Sequence, residues 1–118
     1  MPVTEQPTVI SSRRAIETFP PIIVALVNLD YIQRDGKNSS IVSSVGTSKV
    51  RKSLQRVFDE LNAPEFIFID RGYIVNIVQI MKVSDSIAIL KNGDQLPISR
   101  SHLQEVKRQI NQFWGAHI

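Results

Sequence analysis

Five cations, Arg34, Lys37, Arg71, Lys91 and Arg100, fall at or beside segments whose composition marks them as loops. A guanidinium at a loop tip can donate two parallel hydrogen bonds to O6 and N7 of a guanine, a fork that an ammonium cannot copy. Ser99 and Ser101 adjoin the first amides of a predicted helix and suit a phosphate oxygen, because unpaired N–H groups and the helix dipole point outward there. The plainer alternative for the same cations is a solvated surface with local ion pairs, Arg71 to Asp70 or Glu65 and Arg100 to Asp94 or Glu105. Asn76 is assigned to the inside of the fold, bonding backbone groups.

Other chemistry finds little support. His102 and His117 are the only histidines and neither has a cysteine or carboxylate at a metal-ligand spacing, so no metal site is expected. Ser99, Ser101 and His102 are sequence neighbours, but side chains at a helix start are not expected to face one another as nucleophile and base, and a helix cap is the expectation instead. Asp59 and Glu60 read as a solvated helix flank, and no glycine-rich phosphate loop is present. The expectation is a chain that is not an enzyme and carries no cofactor.

Composition narrows the setting. The 118 residues make one domain with one modest core. No cysteine is present, which removes disulfides and thiolate chemistry and fits a reducing compartment. The longest apolar stretch, around "FPPIIVALVNLDYI", is cut by Asn28 and Asp30 and falls short of the roughly 20 residues of a membrane span. No export signal opens the sequence, so a cytoplasmic protein is expected. A net charge of +3 and a pI near 9.5 are compatible with an anionic partner.

The elements that must position the candidate residues follow from periodicity and turn chemistry. Residues 1–20, rich in Pro, Ser and Thr, are read as a flexible or peripheral arm, and residues 21–118 as the domain. A strand is expected over 29–33, followed by a loop bearing Arg34, Asp35, Gly36, Lys37 and Asn38, with Asp-Gly as a hairpin signal. "SIVSSVGTSKVRKS" predicts a second hairpin turning at Gly46 and Thr47. In "SLQRVFDELNAP" Ser53 caps a helix whose Leu54, Val57, Phe58 and Leu61 share one face, and Asn62 with Pro64 ends it. Strands are predicted over Phe66–Asp70, 73–80, 86–90 and 95–99, with a turn at Asn92-Gly93. A closing helix carries Leu103, Val106, Ile110 and Phe113 as its apolar stripe, Ser101 and Gln104 as a capping box, and Gly115 as its stop.

The order of pieces in the second half carries more. "FIFIDRGYIVNI", then about fifteen residues of strand, then "LKNGDQLPISRSHLQEVK" resembles the LytTR DNA-binding domain of bacterial response regulators. That family has an arginine-containing loop followed by an aromatic residue and Ile-Val-Asn, then a strand, an Asn-Gly turn, Leu-Pro-Ile-Ser-Arg and a helix. The likeness extends back through "LVNLDYIQRDGKNSSIV" and "VRKSLQRVFDEL", covering roughly residues 22 to 110.

What the resemblance implies is a mainly β fold with two helices, built of small stacked sheets in an elongated domain, that lays loops into successive major grooves. The first loop would present Lys37, Asn38 and Ser39. The second reads Asp70-Arg71-Gly72 where many relatives read His-Arg-Ser, and keeps the arginine. The third, Ser99-Arg100, matches the family pattern. Lys37, Lys91, Lys49 and Lys52 would add attraction that does not depend on sequence. The implied function is sequence-specific double-stranded DNA binding by a bacterial transcription regulator, on paired direct repeats, as a homodimer on DNA, under a receiver domain or separate regulatory protein. Trp114, left over from the stripe that holds Phe113, is a candidate contact for such pairing. The alternative function on the same fold is a non-enzymatic module that binds a protein or a membrane surface through its basic loops.

Overall fold

The computed structural model describes residues 28–116 and, as backbone, three earlier segments, β1 (Thr8–Ile10), β2 (Ala15–Glu17) and β3 (Ile23–Ala25). β1 lies between the other two, antiparallel to β2 and parallel to β3. Most of the N-terminal arm, the side chains of Ala15, Ile16 and Phe19, and His117 lie outside the described residues.

The centre of the fold is a five-stranded antiparallel sheet in the order β6-β5-β4-β8-β7. Its strands are β4 (Leu29–Asp35), β5 (Asn38–Ser43), β6 (Gly46–Val50), β7 (Phe66–Asp70) and β8 (Tyr73–Asn76). Alternation sends Ile32, Phe66 and Ile74 to one face, where Leu54, Val57 and Leu61 of α1 (Leu54–Leu61) cover them. It sends Ile67, Ile69 and Val75 to the other, against Ala88, Leu90 and Leu96 of a second sheet, Ile98 just beyond it and Val106 of α2 (Leu103–Ala116). Because both faces are covered, the "FIFI" run is apolar without interruption instead of alternating with polar residues. The second sheet, order β11-β10-β9, comprises β9 (Ile80–Ser84), β10 (Ile87–Leu90) and β11 (Gln95–Pro97). The result is a mainly β protein with two helices, as the sequence predicts.

α1 begins and ends as its sequence requires. The Ser53 side chain accepts the Arg56 amide at 3.2 Å, and Asn62 closes the helix in the left-handed region at φ 44°, its N–H donating to the Phe58 carbonyl. α2 departs from expectation at both ends. Ser101 Oγ faces Ser99 and His102 instead of the Gln104 amide, because a tight turn in which His102 N–H reaches the Ser99 carbonyl precedes the helix. At the far end the helix passes through Gly115 to Ala116 instead of stopping at the glycine.

Two strand boundaries also move. The strand expected over 73–80 breaks after Asn76, whose carboxamide accepts the Val78 amide at 3.0 Å and turns the chain into a 3-10 segment, Ile77–Gln79. The same side chain donates to the Leu29 carbonyl at 2.8 Å, so buried Asn76 bonds backbone inside the fold as expected. The β5–β6 turn lies at Ser44 and Val45, not at Gly46 and Thr47, since Ser43 pairs with Gly46 and its hydroxyl accepts the Val45 amide.

The Asn92-Gly93 turn is tied to β4. Asn92 Oδ1 accepts the Asp94 amide at 2.7 Å while its Nδ2 donates to Asp30, and the Tyr31 hydroxyl donates to Asp94 at 3.0 Å. Burial raises the Asp30 carboxyl above its ordinary value, offset in part by Asn92. Burial, then the bond to Asp94, pushes Tyr31 up to about 12. A raised tyrosine pKa means that the fold favours the neutral phenol, so this contribution is complete below pH of about 10, the unfolded value, and is lost as pH rises towards 12. The Tyr31→Phe chain is expected to lose less stability than the parent across that window in urea melts; parallel losses would contradict the linkage.

Candidate nucleic-acid interface

Three segments meet at one end of the five-stranded sheet. The first is the β4–β5 hairpin, where Asp35 pairs with Asn38 and only Gly36 and Lys37 form the turn. Gly36 has φ +62°, the conformation that a two-residue hairpin opening on glycine requires. The second is the β7–β8 turn, whose Gly72 carbonyl accepts the Arg34 amide at 2.8 Å and so locks the turn to β4. The third is the bend before α2, held because the Ser99 amide donates to the Ile69 carbonyl of β7 at 3.0 Å.

Asp70 explains its own presence. Its Oδ2 accepts the Gly72 amide at 3.0 Å, an Asx turn that folds the chain tightly enough to leave Arg71 exposed at the tip. The carboxylate is thereby used by backbone. The carboxylates that could pair with Arg100 are also engaged, Asp94 by Tyr31 and Asn92, and Glu105 by Arg108. The bond from Arg108 holds the Glu105 carboxyl below the usual range. Among the described residues Arg34, Lys37, Arg71 and Arg100 are exposed and make no ion pair.

The sequence-predicted residues are not all brought together. Lys37, Asn38, Arg71 and Arg100 are exposed at this end, with Ser99 half-buried among them. Ser39 is different: it is fully buried in β5 and its hydroxyl donates to the Lys52 carbonyl at 2.9 Å, because the loop expected over this ground is a two-residue turn and Ser39 is already in the sheet. Lys91 is exposed but belongs to the turn anchored at Asp30 and Gln79. From Asp30 to Asp35 the strand advances five steps of about 3.3 Å, which places Lys91 roughly 16 Å along the sheet from the hairpin. Lys49 pairs with Asp35 at 3.0 Å, and Lys52 and Arg56 share Glu60, so these three cations are partly neutralised.

One contact runs against expectation. Ser99 Oγ hydrogen-bonds directly to Nδ1 of His102, since the tight turn from Ser99 to His102 folds the serine side chain over the ring. Sequence reasoning missed this because adjacency at a helix start was judged for a helix, and these residues are in the turn before it. Trp114 is 40% exposed, with its ring edge-on to Phe113, while Phe113 packs on the second core.

Comparison with known proteins bears on the whole of this arrangement. A family model described as the LytTr DNA-binding domain matches residues 21–111. The fold is similar to that of the LytTr DNA-binding domain of a methyl-accepting/DNA response regulator from Bacillus cereus, with a TM-score of 0.68 at 20% identity over 92% of this chain and 98% of that one. No curated protein matches.

Proposed function

We propose, from the premise that the chain belongs to the LytTr DNA-binding domain family, that it binds double-stranded DNA sequence-specifically as the DNA-contacting part of a bacterial transcription regulator. The hairpin tip at Lys37 and Asn38, the β7–β8 turn and the bend at Arg100 enter the major groove, with Arg71 directed to the phosphates that flank it. Ser99 acts behind them, and Ser39 and Lys91 are left out of the contact set. The observation that carries this reading is the convergence of three chain segments on one end of the sheet with four unpaired, exposed cations. Protruding turns held by backbone hydrogen bonds lose little conformational entropy on binding, which favours specificity.

One domain of this size contacts few base pairs, so the reading extends to paired direct repeats occupied by two copies, with Trp114 as a candidate contact between them. A receiver domain or a separate regulatory protein supplies the signal, and the setting is the cytoplasm. Among the described residues no helix is long and apolar enough to cross a membrane.

The Arg100→Ala chain is the test. On the preferred duplex it is expected to lose about 1 to 3 kcal/mol and to relax preference at one base position, with the thermal melt unchanged. Equal weakening on every sequence would make Arg100 a backbone contact instead.

A further inference from the structure

Behind the protruding tips, the β4–β5 hairpin, the β7–β8 turn and the starts of α1 and α2 enclose a cleft of about 440 Å³. Arg34, Arg71 and His102 line it, Leu54 and Phe68 contribute apolar wall, and no carboxylate lines it. Acids on the flanking segments are occupied: Asp35 by Lys49, Asp70 by the Gly72 amide, Glu105 by Arg108. The cleft is thus built for an anion, and its concave shape suits a group that projects from its own molecule.

The imidazole is held in place by the turn before α2. Ser99 Oγ lies within hydrogen-bond reach of His102 Nδ1, and Ser101 Oγ stands beside both. The other ring nitrogen, Nε2, has no partner among the described residues. Ser99 therefore fixes the ring through Nδ1 and leaves Nε2 facing a ligand, in a cleft that also holds two guanidinium groups.

We infer that this cleft seats one backbone phosphate of the bound duplex, with His102 Nε2 donating to a phosphate oxygen between Arg34 and Arg71. The inference rests on the DNA-binding reading above and adds to it a residue that directs register, since phosphate contacts position a protein on the duplex while base contacts specify sequence. A base edge is excluded as the occupant because bases lie at the floor of a groove and are reached by protrusions, whereas phosphates project and are received by hollows.

The test is anisotropy titration of a mixed-sequence duplex across a salt series. His102→Leu, which removes the Nε2 contact, is expected to weaken binding about tenfold. His102→Gln, which retains an N–H donor at the end of a side chain of similar reach, is expected to bind within about threefold of the parent. Arg71→Ala is expected to lower the salt slope by about 1. Should His102→Leu not melt cooperatively, Ser99→Ala is the readout, with several-fold weaker binding expected. Unchanged affinity in His102→Leu or Ser99→Ala would overturn the phosphate seat while leaving DNA binding intact. If the parent chain binds no duplex at any salt, the DNA-binding reading fails and the seat with it.

Discussion

Raising the salt from about 50 to about 200 mM is expected to weaken duplex binding by a factor on the order of a hundred or more, for about four to six neutralised phosphates. Arg34, Lys37, Arg71 and Arg100 are exposed at one end of the sheet without an ion pair among the described residues, so each is free to displace a counterion. Lys49, Lys52, Arg56 and Arg108 lie against carboxylates and add less. Anisotropy titrations at several salt concentrations give the slope directly. A flat response would mean that the cations at this end of the sheet do not meet phosphate.

The second large effect is on stability. Asn76→Ala is expected to destabilise the fold by about 3 kcal/mol, because it leaves the buried Leu29 carbonyl without this donor and the Val78 amide without this acceptor. The residue is fully buried and joins the start of β4 to the end of β8, forty-seven positions later in the chain. Its loss therefore acts on the central sheet and not on the DNA-contacting end. Urea denaturation would show the shift in midpoint, and the folded fraction is expected to keep the parent's affinity for DNA. A cost below about 1 kcal/mol would mean that water or backbone adjustment replaces both bonds.

Much of this architecture was legible in the sequence, and the parts that were share a cause. α1 was set by its own cap, stripe and αL terminator, all within about ten residues. "FIFID" and "YIVN" were readable as strands, and Asn76 as an interior cap, because side-chain alternation and a lone polar residue in an apolar run are local signals. The resemblance carried by the arginine loop and Leu-Pro-Ile-Ser-Arg led to the family that the comparison found.

What escaped depended on distant partners. Lys91 sits away from the other cations because Asn92 bonds Asp30, a pairing of residues sixty-two positions apart that no local pattern announces. Ser39 was placed in a loop because Asp-Gly locates a hairpin only to within a residue or two, and a two-residue turn puts serine in the sheet. The β5–β6 turn slipped for a similar reason. Gly46, with φ +132°, supplies the unusual backbone just after the turn instead of within it. The Ser99–His102 bond was missed because it needs the tight turn before α2, and that turn is anchored by Ile69 of a different element.

The central claim is that three turns at one end of a mainly β domain read a DNA sequence. Selection from a pool of random-sequence duplexes tests it most directly. Enrichment of one short motif, present twice in the same orientation, is expected, with Arg100→Ala tolerating change at one position of it. A pool that remains unenriched after repeated rounds, with the folded chain binding all duplexes alike or none, would contradict it and favour a module that engages a protein or an anionic surface through the same basic turns.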